Sequence, residues 1–403
     1  MRKWLWGLAA ILLLAGIGFF GIAPPIVEAG MNKVVPAPLP KVTAQTRALH
    51  DSLQIVDMHG DTLLWRRSLL DRANRGQVDL PRLIQGNVAL QIFSSVTKTP
   101  KGQNYDSNTA DTDNITMLTV AQLQPVKTWN SLLERSLWHA RKLDRAAAGS
   151  NGKLRVIRTP AELDRLLADR AGGKKVVGGM LSIEGLQDME GKLGNLDRLH
   201  DAGFRMAGLA HFFDNEVAGS MHGVKKGGLT PLGVQTVRRM EQLGMIVDIA
   251  HSSHRTVAEV LAMAKRPVVS SHGGVQATCK VNRNLTDAEI RGVAKTGGVI
   301  GIGYWDAAIC STAPAAIVAA IAHVRDLVGI DLRSLHRGHP KEIDVDRGWT
   351  GDLARAAGGE ALRPTRVTVA AVRQSEGQNA VAYVAILHDI TDEREMQEQV
   401  LRS

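Results

Sequence analysis

The chain has 403 residues, 44% of them hydrophobic and 22% charged, an ordinary globular composition that excludes a disordered, collagenous or disulfide-scaffolded protein. That length suits one large α/β barrel or two domains, and the 40 glycines suit a fold with many tight strand-to-helix turns. The net charge of +9 favours anionic partners, but no basic run is interleaved with aromatic residues, so no nucleic-acid module is expected.

Arg2 and Lys3 precede an uncharged run, Trp4 to Ala23, that ends at Pro24 and Pro25. Twenty residues at helical rise span about 30 Å, the thickness of a bilayer's hydrocarbon core. A cleaved signal usually has a shorter apolar region of about 7–15 residues, so residues 1–29 read as a single-pass anchor. Val27-Glu28-Ala29 also resembles a cleavage site, and secretion after a cut is the alternative. The basic flank stays cytoplasmic, which puts the rest of the chain outside the cytoplasm, in the periplasm if the source is bacterial.

Beyond the anchor, apolar runs bounded by turn residues predict strands at Gln54–His59, Val88–Val96, Val176–Ile183, Arg205–His211, Met245–His251, Pro267–His272 and Val299–Tyr304. Helical patterns lie between them at Pro160–Ala171, Asn195–Ala202, Pro231–Leu243, Ser253–Ala264, Thr286–Thr296 and Ala313–Val328. Thr286 followed by Glu289 is a capping-box pattern. The stretch from Thr97 to Asn151 is a long excursion, polar first and then helical around Trp129–Ala148. Strands alternating with helices predict a parallel sheet, a (β/α)8 TIM-type barrel with one strand still to place. Cys279 and Cys310 are too few for a zinc ribbon or a disulfide framework, and can pair once if the chain is exported.

Imidazoles and carboxylates sit where the apolar runs stop. His59 and Asp61 close the first strand, two residues apart, so both side chains can point the same way. Glu184 ends the third strand, His211 the fourth, His251 the fifth and His272 the sixth. Any one of them alone reads as a hydrogen-bonded structural residue or a helix cap. Five strand ends in register read as the catalytic rim of a barrel, and imidazole with carboxylate suits zinc and similar divalent ions. Asp248, inside an apolar strand, reads equally as an orienting partner for a ligand histidine or as a structural acid. His200, His222, His254 and His323 fall outside this register and read as ordinary polar residues.

The ordered set DMHGD, SIEG, GLAHFFDN, GGLTPLG, VDIAHSS, VVSSHGG and NRNLTD resembles the membrane (renal-type) dipeptidases, zinc metallopeptidases of the amidohydrolase-like barrel group, from about Ser52 to Ile330. The resemblance implies two zinc ions, one on His59 and Asp61, the other on His251 and His272, bridged by Glu184. It implies that His211 contacts the substrate and stabilises the oxyanion, and that Arg283 grips the terminal carboxylate of a dipeptide. The implied reaction is hydrolysis of a dipeptide by a metal-bridging hydroxide. A dihydroorotase-like amidohydrolase is a weaker reading, since those enzymes commonly bridge their metals with a carboxylated lysine. Partners follow: a dipeptide substrate, a membrane through the first helix, no nucleic acid, and a homodimer left open.

The chain then departs from the family. Where the pattern calls for an eighth strand ending in a Gly-Ser-Asp-Phe-Asp-Gly-like motif, the sequence reads LRSLHRGHPKEIDVDRGWTG, and Asp331, Asp344 and Asp346 are outside any such motif. Arg366–Val372 and Ala380–His388 flank a Ser-Glu-Gly-Gln turn and predict a hairpin. With the following Asp-Ile-Thr and a charged helix, the tail resembles the end of a PAS sensor domain. The expected domains are 1–29, a metallohydrolase barrel at 45–330 and a PAS-like fragment at 331–403. The missing strand keeps open a catalytically impaired metal- or peptide-binding relic; a sensor input protein would need a complete sensor core.

Overall fold

The computed structural model describes residues 2–34, 42–311, 313–328, 349–355, 363–372 and 382–389. The chain forms two compact units: residues 1–38, 54–273 and 292–301 make the first, and residues 39–53, 274–291 and 302–403 the second.

The first unit is built on parallel strands β1 (Ile55–Gly60), β2 (Val88–Ser95), β3 (Leu154–Val156), β4 (Val177–Glu184), β5 (Phe204–Gly208), β6 (Ile246–Asp248), β7 (Val268–Gly273) and β8 (Val299–Ile302). They run in the order β1-β2-β4-β5-β6-β7-β8, and β1 also lies against β7, so the sheet curls into a nearly closed barrel. Strands of this kind read as near-continuous apolar runs because both faces are covered. Seven of them coincide with the sequence expectation. The eighth, β3, has only three residues, too few to show a period; it pairs with β4 at Leu154↔Val177, below the stretch of β4 that pairs with β5. Leu90, Ile92, Ile157, Leu166, Val176, Met206 and Val269 form one buried cluster of this core.

Two expected strands stop short. β5 ends at Gly208 and β6 at Asp248, three residues before His211 and His251 respectively. The ladder thus ends inside the apolar run, and both histidines stand on the loops that follow.

The helices form where their caps predict. Pro160–Ala171 opens with a full capping box between Thr159 and Glu162. In the second unit the expected box forms too: the Thr286 backbone N–H donates to Glu289 Oε2 at 2.8 Å, and the Glu289 N–H to Thr286 Oγ1 at 3.3 Å. The excursion after β2 is organised by buried Arg135 on the helix Leu132–Gly149, which donates to the carbonyls of Thr97, Thr128 and Trp129 and to Asp113 at 2.6 Å.

The prolines at 24 and 25 do not end the N-terminal helix. Arg2–Gly16 continues through a wider π-helical turn, Ile17–Ile22, into Ala23–Met31, with both prolines in the first turn of that last segment. Neither proline can donate an N–H to the carbonyls of the turn before it, and the helix passes this point by widening. The apolar helix Lys3–Met31 is long enough to cross a membrane by length and composition.

In the second unit Cys279 and Cys310 form a disulfide with Cα atoms 5.3 Å apart. The tail carries an antiparallel sheet of β9 (Trp349–Arg355), β10 (Arg363–Val372) and β11 (Ala382–Asp389), in the order β11-β10-β9. The expected hairpin is the β10–β11 pair, in register from Thr365↔Asp389 to Val372↔Ala382; β9 is an additional strand. The Ser-Glu-Gly-Gln turn, the closing helix, and Asp331, Asp344 and Asp346 lie outside the described residues.

Candidate active site

At the C-terminal rim of the barrel, β1 departs from regular register between Asp57 and Gly60, where it pairs with Gln91 and Phe93 of β2. The extra residue is a bulge, a device that re-aims side chains next to active sites. Asp57 accepts the backbone N–H of His59 at 3.1 Å. The outcome is His59 Nε2 3.1 Å from Asp61 Oδ1, both turned the same way as the spacing implied. β4 delivers Glu184, after which Gly185 takes φ +90°, a turn that L side chains resist. A Cβ there would also lie 2.2 Å from Gln187 Oε1.

Glu184 is the hub. Its Oε1 lies 3.5 Å from His59 Nε2, 3.3 Å from His211 Nε2, 3.0 Å from His251 Nε2 and 3.4 Å from His272 Nε2. His251 and His272 approach each other to 2.9 Å through their Nε2 atoms, and the rings of His59 and His272 stack with centroids 3.7 Å apart. Six of the seven expected site residues are therefore gathered in one place. The tightest donor triplets are His59–Glu184–His272 and Glu184–His211–His251, each with ligand atoms within 4.8 Å; Asp61 joins through His59. Arg283, the seventh, belongs to the second unit, where it is buried with its guanidinium 4.7 Å over the Trp305 ring.

The electrostatics of the cluster favour positive charge at its centre. Burial pushes the Glu184 carboxyl up, but the nearby His211 and His59, with His251 and His272 close beside them, outweigh it and hold the group well below its usual range. Burial disfavours charge on His59, yet Asp61 and Glu184 raise it well above an ordinary histidine. His211 moves the other way, lowered by burial although Glu184 opposes the shift. Imidazole nitrogens converging on a buried carboxylate are the donor set that divalent ions such as zinc take, so these residues fit a metal centre.

The supports of the site were only partly visible in sequence. Asp248 accepts the backbone N–H of Ala250 at 3.0 Å and of Ser271 at 2.9 Å, and the hydroxyl of Ser271. Ser271 Oγ then lies 2.8 Å from His272 Nδ1. Since the hydroxyl proton is directed to Asp248, the oxygen accepts Nδ1–H, and the lone pair of His272 is left on Nε2, facing the cluster. Of the two readings of Asp248, the orienting one has this chain of bonds behind it. Ser271→Ala is expected to weaken metal affinity about 10–100-fold, measured by competition with a chromogenic chelator; unchanged affinity would remove Ser271 from the argument.

His222 is more than an ordinary polar residue. It is fully buried, hydrogen-bonded through Nδ1 to the Tyr105 carbonyl at 2.9 Å, stacked on Phe212 at 4.6 Å and 5.2 Å from the His251 ring. His251 itself has φ +62°, a left-handed conformation costing about 1–2 kcal/mol for a residue with a Cβ. Its carbonyl is held by the Met221 N–H at 2.9 Å. Strained backbone at a site residue is a mark of function when the surroundings over-determine it, and no one-dimensional pattern announces it.

Residues 43–335 match the model of the family described as Membrane dipeptidase (Peptidase family M19). Dipeptidase aclJ of Aspergillus oryzae is 27% identical over 377 residues, covering 84% of this chain and 81% of that protein. An uncharacterized dipeptidase of Schizosaccharomyces pombe is 27% identical over 304 residues, with coverages of 72% and 69%. Among solved structures, a metallo peptidase from Rhodobacter sphaeroides, liganded with a phosphinate mimic of the dipeptide L-Ala-D-Ala, superposes with a TM-score of 0.52 at 21% identity, over 69% of this chain and 83% of that one. The probable dipeptidase PvdM from Pseudomonas aeruginosa gives a TM-score of 0.53 at 21% identity, over 66% and 63%. The structural likenesses carry the barrel; the sequence match, spanning well over half of the chain, carries the kinship. The chain belongs to the membrane dipeptidase family, peptidase family M19.

Proposed function

We propose that this hydrolase cleaves dipeptides with two zinc ions held by His59, Asp61, His251 and His272 and bridged by Glu184. The observation that carries the reading is the convergence of four imidazole Nε2 atoms within 3.5 Å of one buried carboxylate oxygen. When bound, such ions acidify water and draw electron density from the scissile carbonyl. The chain's own groups do the rest. Glu184, kept ionised by the imidazoles around it, holds the pair together. His211, kept neutral by burial, is free to donate Nε2–H to the oxygen on which negative charge develops. Arg283 offers a planar pair of donors to a free C-terminal carboxylate, which restricts substrates to short peptides.

The helix Lys3–Met31 serves as the anchor, with the hydrolase portion, about 45–330, on the far side of the membrane. The Cys279–Cys310 bond supports that placement, since disulfides persist in oxidising compartments. The segment 331–403 is read as a PAS-like fragment with no catalytic part. A second reading, a metal-binding relic, is favoured by the departure of residues 332–351 from the family motif.

The test is dipeptide hydrolysis by the full chain in detergent, with added zinc and with chelator. Zinc-restored turnover is the expected result. Folded, zinc-loaded protein without turnover would establish the relic instead.

A further inference from the structure

Within the first unit, the end of the apolar helix is docked on the barrel by a charged latch. Pro24 and Glu28, one turn apart, are buried against it. Glu28 pairs with Arg67 Nε at 3.3 Å and Arg75 Nη2 at 3.0 Å, and the Asn32 carbonyl accepts the Gly76 N–H at 2.8 Å. Beside this latch lies a cavity of about 280 Å³, lined from the helix by Gly21, Pro24 and Pro25 and from the barrel by Trp65, Arg66 and Arg75, with Arg67 and Glu28 also reaching it. Three guanidinium groups against one carboxylate leave two positive charges in the cavity wall. Arg66 is exposed and makes no ion pair or side-chain hydrogen bond with any described residue.

The height of the cavity is set by the helix. Trp4–Ala23 fills the hydrocarbon core at about 1.5 Å per residue, so Pro24–Glu28 fall in the head-group layer. The helix Ile115–Ala121 packs against the turn Ile17–Ile22, and its segment exposes Met117 (58%), Leu123 (59%) and Val126 (69%). Apolar side chains of that size beside a membrane helix suit the edge of the bilayer's hydrocarbon.

We propose that this cavity binds the phosphate of an acidic membrane lipid, with Arg66 as its principal free donor and Arg67 and Arg75 as the charged wall. A zwitterionic head group brings its own cation toward the three guanidinium groups and is disfavoured; an acidic one is not. The inference rests on the reading that the first helix is retained in the bilayer.

The full chain is reconstituted into vesicles of phosphatidylcholine, alone or mixed with phosphatidylglycerol, and floated on a density gradient. It is expected to float with both. After detergent extraction, native mass spectrometry is expected to find phosphatidylglycerol retained over phosphatidylcholine by about tenfold, the scale of one or two basic side chains meeting an acidic lipid. Arg66→Ala abolishes the preference while leaving dipeptide hydrolysis unchanged, and Arg66→Lys keeps most of it. Equal retention of both lipids, or a preference that survives in Arg66→Ala, overturns the site. Competition by millimolar inorganic phosphate without any lipid preference reassigns the cavity to free phosphate and overturns the lipid source. Failure to float with either vesicle defeats the anchor reading itself.

Discussion

Glu184→Ala is expected to strip the site of both proposed metals: ions per chain, counted by plasma emission spectroscopy after desalting, fall from the two proposed to none, and dipeptide turnover disappears with them. The expectation follows from the position of Oε1 at 3.0–3.5 Å from four imidazole nitrogens. Without the carboxylate, those nitrogens face one another around a buried gap, and two cations placed there would repel with no anion between them. Asp61 is poorly placed to replace it, because its side chain is 41% exposed and meets the cluster through His59 at 3.1 Å. Retention of two ions per chain in this variant would refute the bridging role. Glu184→Gln is the sharper partner experiment, since it keeps the volume and removes only the charge.

His211→Ala separates two roles that geometry leaves side by side. If His211 acts as the oxyanion donor, kcat falls about 10²–10³-fold while metal content holds and KM changes little. If it is a metal ligand, as its place in the Glu184–His211–His251 triplet allows, one ion per chain is lost with activity. The surroundings favour the donor. The ring is buried edge-on against Phe212 at 4.8 Å, and the Ser220 hydroxyl donates to the His211 carbonyl and so fixes the backbone that carries it. A fixed, neutral, desolvated donor aimed at the cluster costs no reorganisation when charge develops.

Much of this was legible in the residues themselves, and the rest was not, for physical reasons. Apolar runs ending in His or Glu mark barrel strands and their rim together, because burial sets the run and chemistry ends it; His59, Glu184 and His272 were singled out that way. The same rule overextended β5 and β6, since an apolar residue on a buried loop looks no different from one in a ladder: Leu209 and Ala210 are fully buried beyond the end of β5. The prolines at 24 and 25 read as a break because nothing local reveals a π-helical turn that restarts the helix ahead of them. Asp248 was visible as an oddity, but its route through Ser271 to His272 joins two strands and exists only in three dimensions. The same holds for His222, which lies 29 residues before His251 in sequence and beside it in space.

The Cys279–Cys310 bond ties the fate of one segment to its surroundings. It closes a stretch with a sequence separation of 31 that carries both Arg283 and Trp305. In the chain-entropy view, closing such a loop removes enough unfolded conformations to stabilise the fold by about 3–4 kcal/mol. Where glutathione keeps thiols apart, that segment must be ordered without the covalent clasp; once the thiols are oxidised, it is ordered with it. Redox state thereby becomes a maturation signal: the arginine proposed to select substrates is held more firmly wherever the two thiols are oxidised than wherever they stay reduced.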